Sequence, residues 1–304
     1  MALLGNYAAH LRFTFGEFRA NVPRLGIGTA WRFFLMRLIV PFGRPRRYFM
    51  RRTARSPLVN SIDASGFAEL PGLEPATVNE VLDRLLVNVS GNLPNPVRSV
   101  DEYAAALRVA NVERQTGLFC SGGADCVLAQ VARSPLFAQL AAEYLERDPE
   151  DLIVDASVDM LVSLEGPKPA GGYDNALEFH RDIDGYRFIK MFVYLTDCYQ
   201  ANGHHEMFLA SHRHYPLQLA PIRRYAPEQI TRYIPQAVLK RVTGPAGYAF
   251  AENTLVFHRG TAPIRSHRVI LNLIYTEDSF RQYYPRAFGL LPPSSASSCG
   301  PTGR

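Results

Sequence analysis

The chain has 304 residues, enough for one large domain or two small ones, and its 47% hydrophobic content is that of a globular protein with a core. The net charge of +5 is mild and almost entirely arginine, since the only lysines are Lys168, Lys190 and Lys240; this balance gives no reason to expect a nucleic-acid partner. The cysteines, Cys120, Cys126, Cys198 and Cys299, form no CxxC and no paired framework, so neither a disulfide scaffold nor a zinc site is expected. With no secretory leader pattern either, the chain reads as cytoplasmic.

Residues 1–60 form a basic arm. Its stretch from Ile27 to Phe49 mixes apolar and aromatic residues with Arg32, Arg37, Arg44, Arg46 and Arg47, and Arg51 and Arg52 follow. The internal arginines and Pro41 argue against a spanning helix. Residues 27–55 are compatible with an amphipathic segment in peripheral contact with an anionic membrane. The more ordinary reading is an arm packed on the domain with its arginines solvated.

The main domain is expected over residues 61–290. Asp63 to Gly72 reads as a short strand ending in a turn. Apolar spacing predicts helices over 74–87, 100–112 and 136–147, with Pro75 and Ser134-Pro135 as start signals. From residue 152 the pattern changes to short runs rich in β-branched residues, separated by Gly, Pro and Asn. Strands are predicted over 153–164, 187–195, 205–209, 248–250, 254–257 and 268–275, as in an all-β sandwich or barrel. The breaker-rich residues 166–173 read as a mobile loop or lid, and residues 291–304 as a disordered tail.

The chemistry is concentrated in Phe179-His180-Arg181-Asp182 and in His258 and Arg268. His-x-Asp with a distant lone His is the ligand set of a mononuclear non-haem Fe(II) site, in which two imidazoles and a carboxylate occupy one face of the metal. Residues i and i+2 of an extended segment point the same way, so His180 and Asp182 can aim at one point. Asp184 shares that parity and competes, but Asp184-Gly185 makes a turn that would end the segment. Residues 255–258 read as a strand ending in the third ligand, His258. If the chain then turns at Ala262-Pro263, Arg268 becomes its near neighbour across the ladder. At a cross-strand spacing of roughly 5–8 Å, Arg268 could grip the far carboxylate of a five-carbon diacid chelated to the iron. Arg265 is a less well fixed competitor.

Other polar residues have plainer readings. His204-x-Glu206 repeats the His-x-acid spacing but falls beside an Asn-Gly turn, so it reads as a rim or solvated pair. His212 and His214 read as structural, and His267 faces away from Arg268. Lys190 lies on an apolar strand, where it either touches co-substrate or substrate or snorkels to the surface.

These pieces, in this order, resemble the phytanoyl-CoA dioxygenase-like family of Fe(II)/2-oxoglutarate oxygenases. Gly66-Phe67-Ala68-Glu69-Leu70-Pro71-Gly72 is similar to the family's opening strand and turn, and Phe179 to Asp182 to its first ligands. Phe192 to Asp197 with Asn202-Gly203 and Ser211-His212-Arg213 is similar to its central hairpin, and Gly247 to His258 with Arg268 to its closing strand pair. The likeness covers residues 61–278. It departs at Leu209-Ala210, where the family has Pro-Gly, and at the polar His204-His205-Glu206. The resemblance implies a mainly β fold with flanking helices around a double-stranded β-helix (jelly-roll, cupin-like) core. It further implies Fe(II), 2-oxoglutarate and O2 as cofactor and co-substrates, and hydroxylation of a C–H bond in a small-molecule, lipid or sugar-containing substrate. The rival readings are a cupin-type metalloenzyme without 2-oxoglutarate and a non-catalytic membrane-surface or partner-binding module on a degenerate oxygenase fold.

Overall fold

The computed structural model describes residues 55–91, 93, 95–119, 126–164, 177–182, 184, 187–214, 216–219, 224–264, 266–276 and 287–289. The expectations for the arm up to residue 54, the loop 166–173, Arg265 and the tail 291–304 lie outside the described residues.

Helix α1 (Pro57–Ser65) starts at Ser56, whose hydroxyl accepts from the Val59 amide at 3.3 Å, and ends at Gly66, which closes it in a left-handed conformation with φ 86°. It spans residue 60, where the arm was expected to end, and makes Asp63–Ser65 helical; the strand itself, β1, begins only at Phe67 (Phe67–Leu70). Helix α2 (Pro75–Ser90) buries the stripe Val78, Val81, Leu85 and Val89. Helix α3 (Val100–Val109) is capped by Ser99, whose hydroxyl accepts from the Glu102 amide at 3.1 Å. Strand β2 (Arg114–Phe119) and helix α4 (Val127–Arg133) were not anticipated. In β2, polar residues and Gly117 obscure the alternation; α4 is short and buried on most sides, so it shows no amphipathic stripe. Helix α5 (Pro135–Leu145) completes the helical half.

The second half carries strands β3 (Ile153–Val162), β4 (Phe188–Tyr194), β5 (His205–Leu209), β6 (Val238–Val242), β7 (Ala249–Glu252), β8 (His258–Gly260), β9 (His267–Thr276) and β10 (Ala287–Gly289), with helix α6 (Pro227–Tyr233) before β6. They form an antiparallel sheet of seven strands in the order β1-β7-β4-β9-β3-β10, with β2 also paired to β3, and a second sheet of three in the order β6-β5-β8. Strand alternation divides the larger sheet cleanly. Ile189, Met191, Val193, Val269, Leu271, Leu273 and Tyr275 face the helices and join the main core. Phe192, Tyr194, Phe250 and Ile270 point the other way, onto Met207 and Val242 of the smaller sheet. Two facing sheets, with α6 against the outer face of the smaller one and the other helices behind the larger, are the double-stranded β-helix architecture that the resemblance led us to expect.

Two local expectations are corrected. Residues 254–256 form a turn, not a strand, and His258 begins β8 instead of ending one. Strand β8 pairs with β5, whereas β9 pairs with β3 and β4, so residues 258 and 268 are not neighbours across a ladder but sit on opposing sheets. In addition, Cys126 is disulfide-bonded, although Cys198 is free and buried; linear spacing does not reveal which cysteines fold together. Among the described residues no helix is long and apolar enough to cross a membrane.

Candidate metal centre

The smaller sheet is extended beyond β8 by one extended residue pair. The amides and carbonyls of His180 and His258 exchange hydrogen bonds, each 3.0 Å long, and Phe179 bridges likewise to Tyr225. The Asp182 amide then donates to the Thr254 carbonyl at 2.9 Å, pinning the segment against the turn that leads into β8. The i, i+2 parity of His180 and Asp182 thus acts as expected, and the bridge delivers His258 beside them.

His180, Asp182 and His258 form a group whose ligand atoms lie within 4.8 Å of one another. Asp182 Oδ1 is 3.5 Å from His180 Nε2 and Oδ2 is 3.3 Å from His258 Nε2. Ligand atoms on one face of a metal with bonds near 2.1 Å stand about 3 Å apart, so this donor set fits a divalent first-row ion. The orientation of each ring is set from behind. His180 Nδ1 is 2.7 Å from the Glu178 carbonyl and His258 Nδ1 is 3.1 Å from the Val256 carbonyl, leaving both Nε2 atoms aimed at the carboxylate.

Electrostatics fit the same task. Burial first, and then the neighbouring His258, push the His180 imidazole down to about 3, so it is neutral. Burial alone would raise the Asp182 carboxyl, but Lys190 and then His258 outweigh it and hold the group well below its usual range. Burial would lower His258, yet Glu252 and then Asp182 overcome it and raise the ring.

Lys190 is buried and does not snorkel. Its Nζ lies 2.6 Å from Asp182 Oδ2 and 2.7 Å from Asp184 Oδ2. Asp184, the rival carboxylate, is therefore turned toward the lysine, outside the histidine pair. A residue the sequence reading missed lies behind the centre. Glu252 is fully buried, with Oε2 2.8 Å from His205 Nε2 and Oε1 3.5 Å from His258 Nδ1. Its signal was a carboxylate in the apolar run Ala249–Glu252, where a charge needs a partner. The His205 ring in turn stacks on His258 at 5.5 Å between centroids.

Arg268 projects from β9 across the interior. Its Nη1 donates to the Gly203 carbonyl, and its guanidinium lies against Gly260, where an added Cβ would come within 2.9 Å of Nη2. Gly260 is two residues along β8 from His258, a separation of roughly 7 Å in a strand. Arg268 is only 8% exposed, and no carboxylate among the described residues forms an ion pair with it. Its Nε has no hydrogen-bond partner.

The remaining candidates lie elsewhere. His204 and Glu206 are buried, not solvated: Arg259 clamps Glu206 Oε2 at 2.9 and 2.8 Å, while Arg241 and His204 each reach Oε1 at 3.2 Å. His212 bonds the Asp63 carbonyl and His267 faces Asp101, both away from the centre.

No protein-family model matches the chain, and no curated protein matches it. Among solved structures, EctD from S. alaskensis with bound Fe is similar at a TM-score of 0.50 and 15% identity, over 77% of this chain and 83% of EctD. The non-heme monooxygenase ThoJ aligns at 0.46 and 17% identity, over 79% of this chain and 82% of its own. The non-heme alpha ketoglutarate dependent epimerase SnoN from nogalamycin biosynthesis aligns at 0.45 and 16%, over 72% and 81%. The likeness to EctD shows a shared fold.

Proposed function

We propose that the chain is an Fe(II)/2-oxoglutarate-dependent dioxygenase, of the phytanoyl-CoA dioxygenase-like kind, that hydroxylates a C–H bond of a small-molecule substrate. His180, Asp182 and His258 hold the metal and Arg268 holds the distal carboxylate of 2-oxoglutarate. The observation that carries this reading is the buried, carboxylate-free guanidinium of Arg268 on the strand facing the triad. An unpaired cation in a protein interior costs several kcal/mol, which an incoming anion recovers. A cupin-type enzyme without 2-oxoglutarate would leave that charge with no task. The shared fold with iron-bearing EctD supports the same choice of metal.

The bound iron would supply the oxidative chemistry that turns the substrate, 2-oxoglutarate and dioxygen into the hydroxylated product, succinate and carbon dioxide. The chain's own residues prepare that site. His180 presents a neutral lone pair and Asp182 an ionised oxygen, so any proton shed as the metal binds comes from His258. Lys190 and Asp184 hold the Asp182 carboxylate in place, and Glu252 backs the His258 ring. Arg268, whose guanidinium lies against Gly260 two residues along β8 from His258, would take the far end of the co-substrate. Phe192, Phe250 and Tyr194 wall the space between the sheets with apolar surface and exclude water from the charged groups.

Anaerobic calorimetric titration with Fe(II) and then 2-oxoglutarate tests the assignment. One metal and one co-substrate should bind, the second only after the first, and succinate should form once oxygen is admitted. Metal binding without any 2-oxoglutarate binding would return the cupin reading.

A further inference from the structure

The inner face of the larger sheet is polar where it leaves the metal centre. Asp155, Ser157 and Asp159 of β3 share one face and border a cavity of about 470 Å³, within the range of small-molecule sites. The cavity reaches the metal centre through Asp184, which lines it and pairs with Lys190, itself bound to Asp182. Of the described lining residues only Ile274 is apolar. An acyl chain would gain almost nothing from such walls and would strip water from the carboxylates.

Ser157 and Asn272 lie directly opposite each other in the β3–β9 ladder, and both line the cavity. Ser157 is 7% exposed, yet its hydroxyl makes no side-chain hydrogen bond among the described residues. Asn272 Oδ1 is buried and also has no partner among the described residues. The buried Asn272 oxygen costs stability unless a ligand completes it, and the Ser157 hydroxyl stands beside it, open to the cavity. The nearby Asp159 differs, because Thr116 Oγ1 at 2.5 Å and Arg114 Nη2 at 3.1 Å already engage it.

We infer that this cavity is the substrate pocket and that Ser157 and Asn272 recognise vicinal hydroxyls of a neutral, glycosyl-like part of the substrate. This rests on the proposed function and narrows its substrate class. A serine hydroxyl and a carboxamide each donate and accept, as does every hydroxyl of a sugar ring, so the two sets can satisfy each other completely. A cationic amine would find the best-buried carboxylate already taken by Arg114, and the Ser–Asn pair would stay half-satisfied.

The test uses the full chain loaded anaerobically with Fe(II) and 2-oxoglutarate. The probes are methyl hexopyranosides and methyl 6-deoxyhexopyranosides, an octanoyl thioester and 1,4-diaminobutane. At least one glycoside should bind calorimetrically and raise succinate formation above the substrate-free rate, while the thioester and diamine do neither. Ser157→Ala and Asn272→Leu should each weaken glycoside binding about tenfold, the worth of one buried hydrogen bond with its partner left unmet. Their melting temperatures should stay level or rise, since neither side chain has a protein partner to lose; a merely structural role would lower them. Stimulation by the thioester or the diamine in place of glycosides overturns the inference, as does glycoside binding unaffected by both substitutions or no glycoside binding at all. Failure of 2-oxoglutarate itself to bind overturns the proposed function instead, and the two failures read out in separate titrations.

Discussion

Arg268→Met should abolish co-substrate binding while sparing the fold. The guanidinium is 8% exposed, its Nε is unpartnered, and no described carboxylate pairs with it. Keeping an unpaired ion out of water costs several kcal/mol even after relaxation, and an apolar side chain of similar length removes that cost. Against this, the bond to the Gly203 carbonyl is lost, a loss of about 1–3 kcal/mol if that oxygen is left unmet. The opposing contributions nearly cancel, so stability should move by no more than about 2 kcal/mol, or roughly 4–8 °C in Tm. Binding has no such compensation. Hydrogen bonds to a charged group contribute about 1.5–3 kcal/mol each, so losing a bidentate pair should weaken 2-oxoglutarate about 10²- to 10⁴-fold. The assay is thermal unfolding of metal-loaded protein with and without 2-oxoglutarate. At a hundred times its Kd the ligand should stabilise the wild type by about 2.7 kcal/mol, raising Tm by roughly 5–11 °C. The variant should shift by no more than about 1–2 °C at the same concentration. A variant that keeps the shift, or one whose ligand-free Tm collapses by tens of degrees, would refute the argument that this charge is held in reserve for an anion.

Gly260→Ala puts a Cβ within 2.9 Å of Arg268 Nη2 on ordinary backbone, so turnover should fall roughly tenfold to a hundredfold with Tm nearly unchanged; steady-state kinetics at saturating metal would expose an inert substitution. Glu252→Gln removes the charge behind His258, and metal affinity should drop about 10- to 100-fold in a chelator competition. The pH dependence follows from the same ring. His258 is raised in the fold, so its protonated form adds stability below the ordinary value of 6.5, and that contribution is lost as pH rises through the raised value. Metal needs the neutral ring, so affinity should climb up to about tenfold per pH unit across that window and level off above it. His180 and Asp182, both shifted low, release nothing there. Calorimetry in buffers of different ionisation enthalpy should therefore find proton release per metal near one below pH 6.5 and falling toward none as pH rises through the raised value; release of two protons, or release that does not change with pH, would contradict this assignment.

The local part of the site was legible in the linear chain. Period-2 geometry placed His180 and Asp182 on one side, and it is Asp182, not Asp184, that clusters with the two histidines. Strand runs such as 205–209 and 153–164 were visible because one or both faces are apolar. Residues 254–257 misled because an apolar run of that length reads as strand or buried turn alike, and burial without alternation carries no period. Glu252, Ser157 and Asn272 went unremarked, since a polar residue in a strand declares its meaning only when it is known which face is closed over.

Sequence alone determined which residues can share a face, because alternation along an extended backbone is set by covalent geometry. It also supplied the candidate donor set, two imidazoles and an acid with a basic residue downstream. Only the tertiary structure decided how those pieces meet: β8 joins the smaller sheet and β9 the larger, so His258 and Arg268 approach across the interior instead of along a ladder. Strand partners are chosen by burial of whole faces, a property of the assembled sheets that no single segment carries.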